Sequence, residues 1–421
     1  MEQHENYCIL DLHLADQGLA RLNASMEEMA VLSTIDGRLS IQLPFEGLRI
    51  TVCAHITKET GCACVALRSG GADVMLIASN PRSTQDDIAA SLVRDYGVRV
   101  FGYSQQTEEE WDSYKRRAID FQPDLLLDEA SELLSFLYEV SPETPAHFIG
   151  STEQTTGGVF KLKLMDEAGI LKHPAIAINS SKIKHLFDNF YGVGQSSVTA
   201  MIQATGGLLA GKTVVVIGYG NVGAGIALRQ KGMGANVIIC EIDPIKALDA
   251  YLHGYRVMPL KEAAAYGEIF MTATGSKDVI PLSVIKQLKS GAYLVNCGSG
   301  QVEIDVAGLQ GFAVDMERLN PFVDKYTLEN GHFVNLVADG RVGNIVVSGG
   351  NPAEIMDLTF SQIIMAAEYL VQRRGRMKNR MYVMPETVDQ KIAKIKLNEL
   401  MVDIDIPTAI QKKYDNTWHK N

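Results

Sequence analysis

The chain has no apolar run approaching the roughly 20 residues that would cross a bilayer, which excludes an ordinary membrane-spanning helix. Its opening, Met1 to Cys8, is polar with neither a basic flank nor an apolar core. No secretory signal is therefore visible, and a cytoplasmic protein is expected. Cysteine is scarce: Cys8, Cys53, Cys62, Cys64, Cys240 and Cys297 make six in 421 residues, too few for a disulfide framework and consistent with a reducing compartment. Cys62 and Cys64 lack a matching Cys or His cluster, so no metal is expected. Positive charge is also short. At a formal net charge of −11, the chain lacks the clustered Lys and Arg that phosphate neutralisation needs, which argues against a nucleic-acid partner. What is present, 46% hydrophobic and 21% charged residues, describes a soluble globular protein. The length suggests two domains and an extension.

One stretch organises the rest. From Val214 four apolar residues of a buried strand run into Gly218-Tyr219-Gly220-Asn221-Val222-Gly223, and a small-residue helix follows. Gly218 permits the tight turn, Gly220 lets the backbone approach a pyrophosphate, and Gly223 lets the helix lie close on its strand. The N–H groups and positive dipole end of that helix, where Asn221 and Val222 stand, then hold the phosphates. A second apolar run, Asn236 to Cys240, ends in Glu241, roughly 20 residues after the first glycine, where a carboxylate accepts hydrogen bonds from the adenosine ribose. It would repel a 2′-phosphate, so NAD is expected rather than NADP.

A separate alternating series precedes this unit. Leu48 to Ala54, Asp73 to Ser79, Val98 to Tyr103, Asp124 to Asp128 and His147 to Gly150 read as strands, with helices between the earlier ones. Such alternation implies a parallel sheet with helices on both faces. Residues 1–45 read as amphipathic helix, with Leu19, Leu22, Met26, Met29 and Leu32 at helical spacing. Polar residues follow successive strands at one sheet edge: His55, Thr57 and Glu59; Asn80 with Ser83 to Asp86; Asp128 and Glu129; Thr152 to Thr156; then Asn179, Lys184, Asp188 and Asn189. In an open α/β sheet that edge holds the ligand. The expected fold is α/β: two doubly wound parallel-sheet domains, with a Rossmann NAD domain (193–350) inserted in a substrate-binding domain (1–192). Residues 351–376 return to the latter as a long helix, and 377–421 form a C-terminal arm.

These residues, in order, resemble the adenosylhomocysteinases, over almost the whole chain. The matching stretches are His55-Ile-Thr57-Lys-Glu59-Thr60, Asn80 with Ser83 to Asp86, Thr155-Thr156, Lys184 with Phe187-Asp188-Asn189, and Tyr191-Gly192. They continue through the glycine turn, Glu241-Ile-Asp243-Pro244, Thr274-Gly275, Val302-Glu-Ile-Asp305 and Gly340-Arg341. The resemblance implies cleavage of S-adenosylhomocysteine to adenosine and homocysteine with tightly held NAD. There the ribose 3′-hydroxyl is oxidised to a ketone, the acidified C4′ proton is removed, the 5′ substituent leaves, water adds and the hydride returns. It further implies that Lys184 and Asp188 handle the 3′-hydroxyl proton and Asn189 supports ring and cofactor. His55 would serve C5′, and Thr57 and Glu59 would face the nucleoside. Thr155, Thr156, Glu241, Thr274, Asn296 and Asn344 would join the glycine turn in holding NAD.

The chain departs from the family at defined places. Glu129 stands where a second Asp is usual, and Gln154 replaces a carboxylate that grips the ribose hydroxyls. The family's Gly-His-Phe-Asp is Gly298-Ser299-Gly300-Gln301, its Gly-His-Pro is Gly350-Asn351-Pro352, and a usual cysteine is Val193. Glu129 remains a candidate base, and Gln154, Ser299 and Asn351 are candidate substrate contacts. The oxidation set is kept while groups near the 5′ substituent are altered. A nucleoside dehydratase or epimerase using the same ketone stays open beside the hydrolase, as does a non-catalytic NAD-holding interaction protein. A homo-oligomer, tetramer or dimer, is expected from the resemblance.

Overall fold

The structure, a computed structural model, describes residues 1–80, 82–141, 145–299, 302–415 and 418. The expectations placed on Gly300 and Gln301 lie outside the described residues. The first sheet takes β1 (Glu2–His4), β2 (Tyr7–Ile9), β3 (Arg49–Ala54), β4 (Asp73–Ala78), β5 (Arg99–Phe101), β6 (Leu125–Asp128), β7 (Gly150–Glu153) and β8 (Ala175–Ala177). The second takes β9 (Thr213–Ile217), β10 (Asn236–Cys240), β11 (Arg256–Val257), β12 (Ile269–Thr272), β13 (Ala292–Asn296), β14 (Ala313–Asn320), β15 (Val323–Leu328) and β16 (Phe333–Val337). A late strand, β17 (Met381–Tyr382), returns to the first sheet.

The central strands are near-continuous apolar runs because helices cover both faces. Side chains alternate between the two cores, as a period of two demands: Ile50, Val52 and Ala54 enter one, Cys53 the other. In the second sheet Val214 and Val216 are likewise separated from Val215 and Ile217. Strand orders are β1-β2-β5-β4-β3-β6-β7-β8-β17 and β11-β10-β9-β12-β13-β16-β15-β14. Each has its founding strand in the interior, β3 fifth of nine and β9 third of eight, and the strand order reverses beside it, between β3 and β6 and between β9 and β12. Ligands settle outside the carboxyl ends at such reversals. His55 and Glu129 flank the first, and Gly218 and Thr274 the second.

Three expectations need correcting. The opening residues are not helical: β1 and β2 form an antiparallel ribbon whose Cys8 pairs with Phe101 of β5, and the helices begin at Ala15. Three-residue strands are too short to show a period. The strand expected at His147 to Gly150 is instead β7, Gly150–Glu153. Its polar residues are buried because they find partners inside, Ser151 on His173 at 2.9 Å and Glu153 on neighbouring turns. The segment after 377 does not leave the chain as a whole. β17 pairs with β8, and the helix Glu386–Glu399 is pinned by Lys396 on Asp357 (2.9 Å) and by Asp389, which accepts from the Lys182 amide (3.0 Å). Only the last part, including the helix Ala409–Asp415, stands exposed.

His173 gives the fold a measurable acid sensitivity. Its ring nitrogens meet the hydroxyls of Tyr138 (3.0 Å) and Ser151 (2.9 Å), and burial pushes its pKa down to about 3. Between that value and the ordinary 6.5 the unfolded chain binds a proton that the folded chain refuses, so stability falls with falling pH across this window, by at most about 1.4 kcal/mol per pH unit from this ring. Urea midpoints measured through the acid range should decline less steeply for His173→Gln than for the parent.

Candidate active site

Between the sheets the chain runs through a π-helix, Lys184–Val193, directly into the helix Gly194–Thr205. Such wide turns are rare and collect at functional sites. This one buries Lys184, Asp188 and Asn189 together. Lys184 Nζ lies 2.5 Å from Asp188 Oδ2, which also accepts from Thr359 Oγ1 at 2.6 Å, while Asp188 Oδ1 accepts from Asn351 Nδ2 at 2.8 Å. A buried charge pair persists only when its remaining polar atoms are satisfied, and three donors on one carboxylate meet that condition. Asn351 is held in turn, its Oδ1 accepting from Ser196 Oγ (2.7 Å) and Asn344 Nδ2 (3.2 Å). Asn189 donates to Asn179 (3.0 Å), and Asn179 to Thr156 (2.9 Å). One polar chain thus joins the π-helix to the loop after β7.

A second cluster sits at the β3/β6 reversal. His55 Nε2 lies 3.2 Å from Glu129 Oε1, and Glu129 Oε2 accepts from Ser79 Oγ (3.0 Å) and the His55 amide (3.2 Å). Burial works to raise the Glu129 carboxyl, but the His55 ring and these donors outweigh it and hold it below the usual carboxylate range. Behind it the buried Asp128 and Glu153, opposite each other on β6 and β7, are both pushed upward by burial. Thr57 caps the helix Lys58–Ser69, and buried Glu59 pairs with Lys58 at 2.8 Å. Gln154 Oε1 is buried without a protein partner.

At the second reversal Gly218 has φ +94°, and a Cβ there would meet the Ala273 carbonyl at 2.7 Å. A Cβ on Gly223 would stand 1.9 Å from the Gly218 carbonyl, whereas one on Gly220 would meet no protein atom within 4 Å. The helix Asn221–Gly232 starts at Gly220 with no side-chain cap, so its first N–H groups are left for a ligand. Glu241 accepts from the amides of Tyr219 (2.6 Å), Ile242 (2.7 Å) and Asp243 (3.0 Å), which fixes the carboxylate beside the glycine turn. Thr274 donates to the buried Glu303 at 2.7 Å, and Asn296 donates to the Gly340 carbonyl at 3.0 Å.

The two sets face one another. Arg341 donates to Asn80 (3.1 Å), Gln85 to the Gly349 carbonyl (3.2 Å), and Ser299 lies near Gly157, so loops of both sheets close one crevice. Profiles of known families match this chain in two blocks: S-adenosyl-L-homocysteine hydrolase over residues 6–147, and the NAD-binding domain of that hydrolase over 189–350. The adenosylhomocysteinase of Gloeobacter violaceus is 42% identical over 412 residues, 98% of this chain and 96% of its own. That of Saccharolobus solfataricus is 42% identical over 414 residues, 98% and 99%. The chain belongs to the S-adenosyl-L-homocysteine hydrolase family.

NAD is its cofactor, as for the rest of the S-adenosyl-L-homocysteine hydrolase family, and the residues fit it: an uncapped helix start, open space above Gly220 and a fixed carboxylate at Glu241. Asn351, expected among substrate contacts, has both amide atoms engaged by protein groups, on Asp188, Ser196 and Asn344. Sequence reasoning assigned nothing to Ser79, Ser196 or Thr359. Thr359 gives no signal at all, a small hydroxyl in a largely apolar helix, while Glu303 lay within a matching stretch.

The glycine geometry separates folding from cofactor binding. Gly220→Ala should cost less than about 1 kcal/mol of stability yet weaken NAD at least roughly tenfold by blocking the pyrophosphate. Gly223→Ala should destabilise by about 1–3 kcal/mol through overpacking. Denaturation midpoints and NAD titration of the stripped proteins read both.

Proposed function

We propose that this protein hydrolyses S-adenosylhomocysteine to adenosine and homocysteine in the cytoplasm, working through a 3′-keto stage of the ribose. The observation carrying the reading is the buried Lys184–Asp188 pair, braced by Thr359 and Asn351, on a π-helix whose Phe190 backbone packs against Gly225 of the helix that the glycine turn opens. Bound NAD supplies a hydride acceptor, and later a donor, at C3′. The Lys184 ammonium spends one donor on Asp188 and keeps others for the 3′-oxygen; the hydroxyl proton passes to Nζ as Nζ hands one of its own to Asp188 Oδ2, and the transfer later reverses. Thr359 and Asn351 keep Asp188 in place meanwhile. Once C3′ is at the carbonyl level the C4′ proton is acidic, and Glu129, held in its ionised form, serves as the base. His55, against Glu129, carries protons for the departing sulfur and the incoming water. Gln154 Oε1, lacking a protein donor, takes a ribose hydroxyl, and Glu59 accepts from the adenine amino group.

In this reading residues 1–192 with the returning helix bind the nucleoside, and 193–350 bind NAD. The molecule works as a homo-oligomer, tetramer or dimer. Supporting that are large apolar side chains left exposed: Ile245, Leu248 and Leu252 on the helix after Glu241, and Ile404, Ile406 and Ile410 near the C-terminus. Light scattering should find a dimer or larger.

The altered groups around Gln154 and Asn351 favour, as a second reading, a dehydratase or epimerase of another adenine nucleoside. Thiol release from S-adenosylhomocysteine by the purified protein is the expected result. Lys184→Met should lower both thiol release and the reduced-nicotinamide absorbance by ~10²-fold or more. His55→Asn should spare the absorbance and lose the thiol. Deuterium at C4′ of a free nucleoside in heavy water, with no thiol released, would replace the hydrolase by the second reading. No cofactor reduction by any nucleoside would replace both by an NAD-holding interaction protein.

A further inference from the structure

Glu153 is buried and touches neither His55 nor the glycine turn, yet its carboxylate gathers two of the loops that form the crevice. Its Oε1 accepts from the amides of Ala130 (3.1 Å) and Thr155 (2.7 Å) and from the Thr155 hydroxyl (2.7 Å). Its Oε2 accepts from the Ser131 amide (2.8 Å) and hydroxyl (3.2 Å). Ala130 and Ser131 have φ of +59° and +50°, a left-handed pair without glycine that persists only where the surroundings impose it. The two residues directly follow Glu129, so the direction of its side chain depends on that turn. On the other side Thr155 caps the helix Thr156–Glu167, and Thr156 leads through Asn179 to Asn189. Room for the carboxylate exists because position 158 is glycine: a Cβ there would fall 2.1 Å from Glu153 Cδ.

We infer that Glu153 is a positioning residue, which holds the left-handed turn so that Glu129 meets His55 and at the same time sets Thr155 and Thr156 toward the cofactor. The inference rests on the reading of His55 and Glu129 as the pair serving C4′ and C5′. A carboxylate suits the place because the groups that hydrogen-bond to it, the amides of Ala130, Ser131 and Thr155 and the hydroxyls of Ser131 and Thr155, all donate, and so oppose the upward push of burial and of the facing Asp128. An amide would turn an NH₂ toward one set of them and release one of the two turns.

The test is Glu153→Gln in the full-length, NAD-loaded enzyme, alone and combined with Ala130→Gly, with crystal structures of both. The single change should lower kcat for thiol release by about 10²-fold through misplacement of Glu129, with KM moving less than roughly threefold. The added glycine adopts positive φ freely and should restore at least ~tenfold, a rescue that a general loss of stability would not show. Glu153→Gln with kcat within threefold of the parent overturns the inference, as does a folded double variant with no recovery. Should Glu153→Gln not fold, Gly158→Ala, which displaces the same carboxylate, carries the same expected loss and the same refutation. A parent enzyme releasing no thiol refutes the hydrolase reading instead. The crystals still decide here: Glu129 unmoved from His55 and Ala130 still left-handed in Glu153→Gln would end the proposal.

Discussion

The contact on which the rest depends is the buried pair of Lys184 and Asp188. Two charges removed from water are costly unless each finds compensation, and Asp188 finds it in residues far away in the chain: Asn351 on the returning segment and Thr359 in the long helix behind. Asn351 is itself fixed by Ser196 and Asn344. The proton-transfer pair is therefore complete only when the outgoing π-helix and the returning loop lie side by side. Domain arrangement and the chemistry proposed at C3′ thus rest on one interaction.

The sheets explain why the crevice forms there. Both have the doubly wound order, and each leaves its loops diverging at a reversal. One reversal offers the paired His55 and Glu129, the other an uncapped helix start and a carboxylate. Because the π-helix feeds straight into the first helix of the second unit, the nucleoside and the dinucleotide are brought against each other rather than onto opposite ends of the molecule.

Much of this was legible in the chain. The founding strands are apolar runs, and Gly218 and Gly223 have the separate structural reasons, a tight turn and a close helix, that their spacing implied. Other parts were hidden for physical causes. β7 is polar and buried, so a reading based on hydrophobicity placed it three residues early, on Phe148 and Ile149. The π-helix departs from the 3.6 period by which helices are recognised, and nothing local marks it. Thr359 and Ser196 are single hydroxyls whose importance comes entirely from the partner they reach. The helix Glu386–Glu399 looked like a free arm because its apolar stripe is thin, and its anchors are the charged Asp389 and Lys396.

The departures from the family pattern also acquire a physical meaning. Asn351 takes the place of an imidazole, but its amide both donates to Asp188 and accepts from Ser196 and Asn344. A neutral side chain thus keeps the bracing function without adding a charge that changes with pH. Among the described residues Lys184 is then the one cation in contact with Asp188. Gln154 removes a negative charge from beside a group of carboxyls, Glu59, Asp128, Glu129 and Glu153, of which all but Glu129 are almost fully buried. In the proposed function both changes leave the groups assigned to C3′ intact and lower the fixed charge around the sugar. On that proposal, discrimination toward the rest of the nucleoside would shift from charge to hydrogen-bond geometry, because an amide that can donate as well as accept selects by the placement of the group it meets.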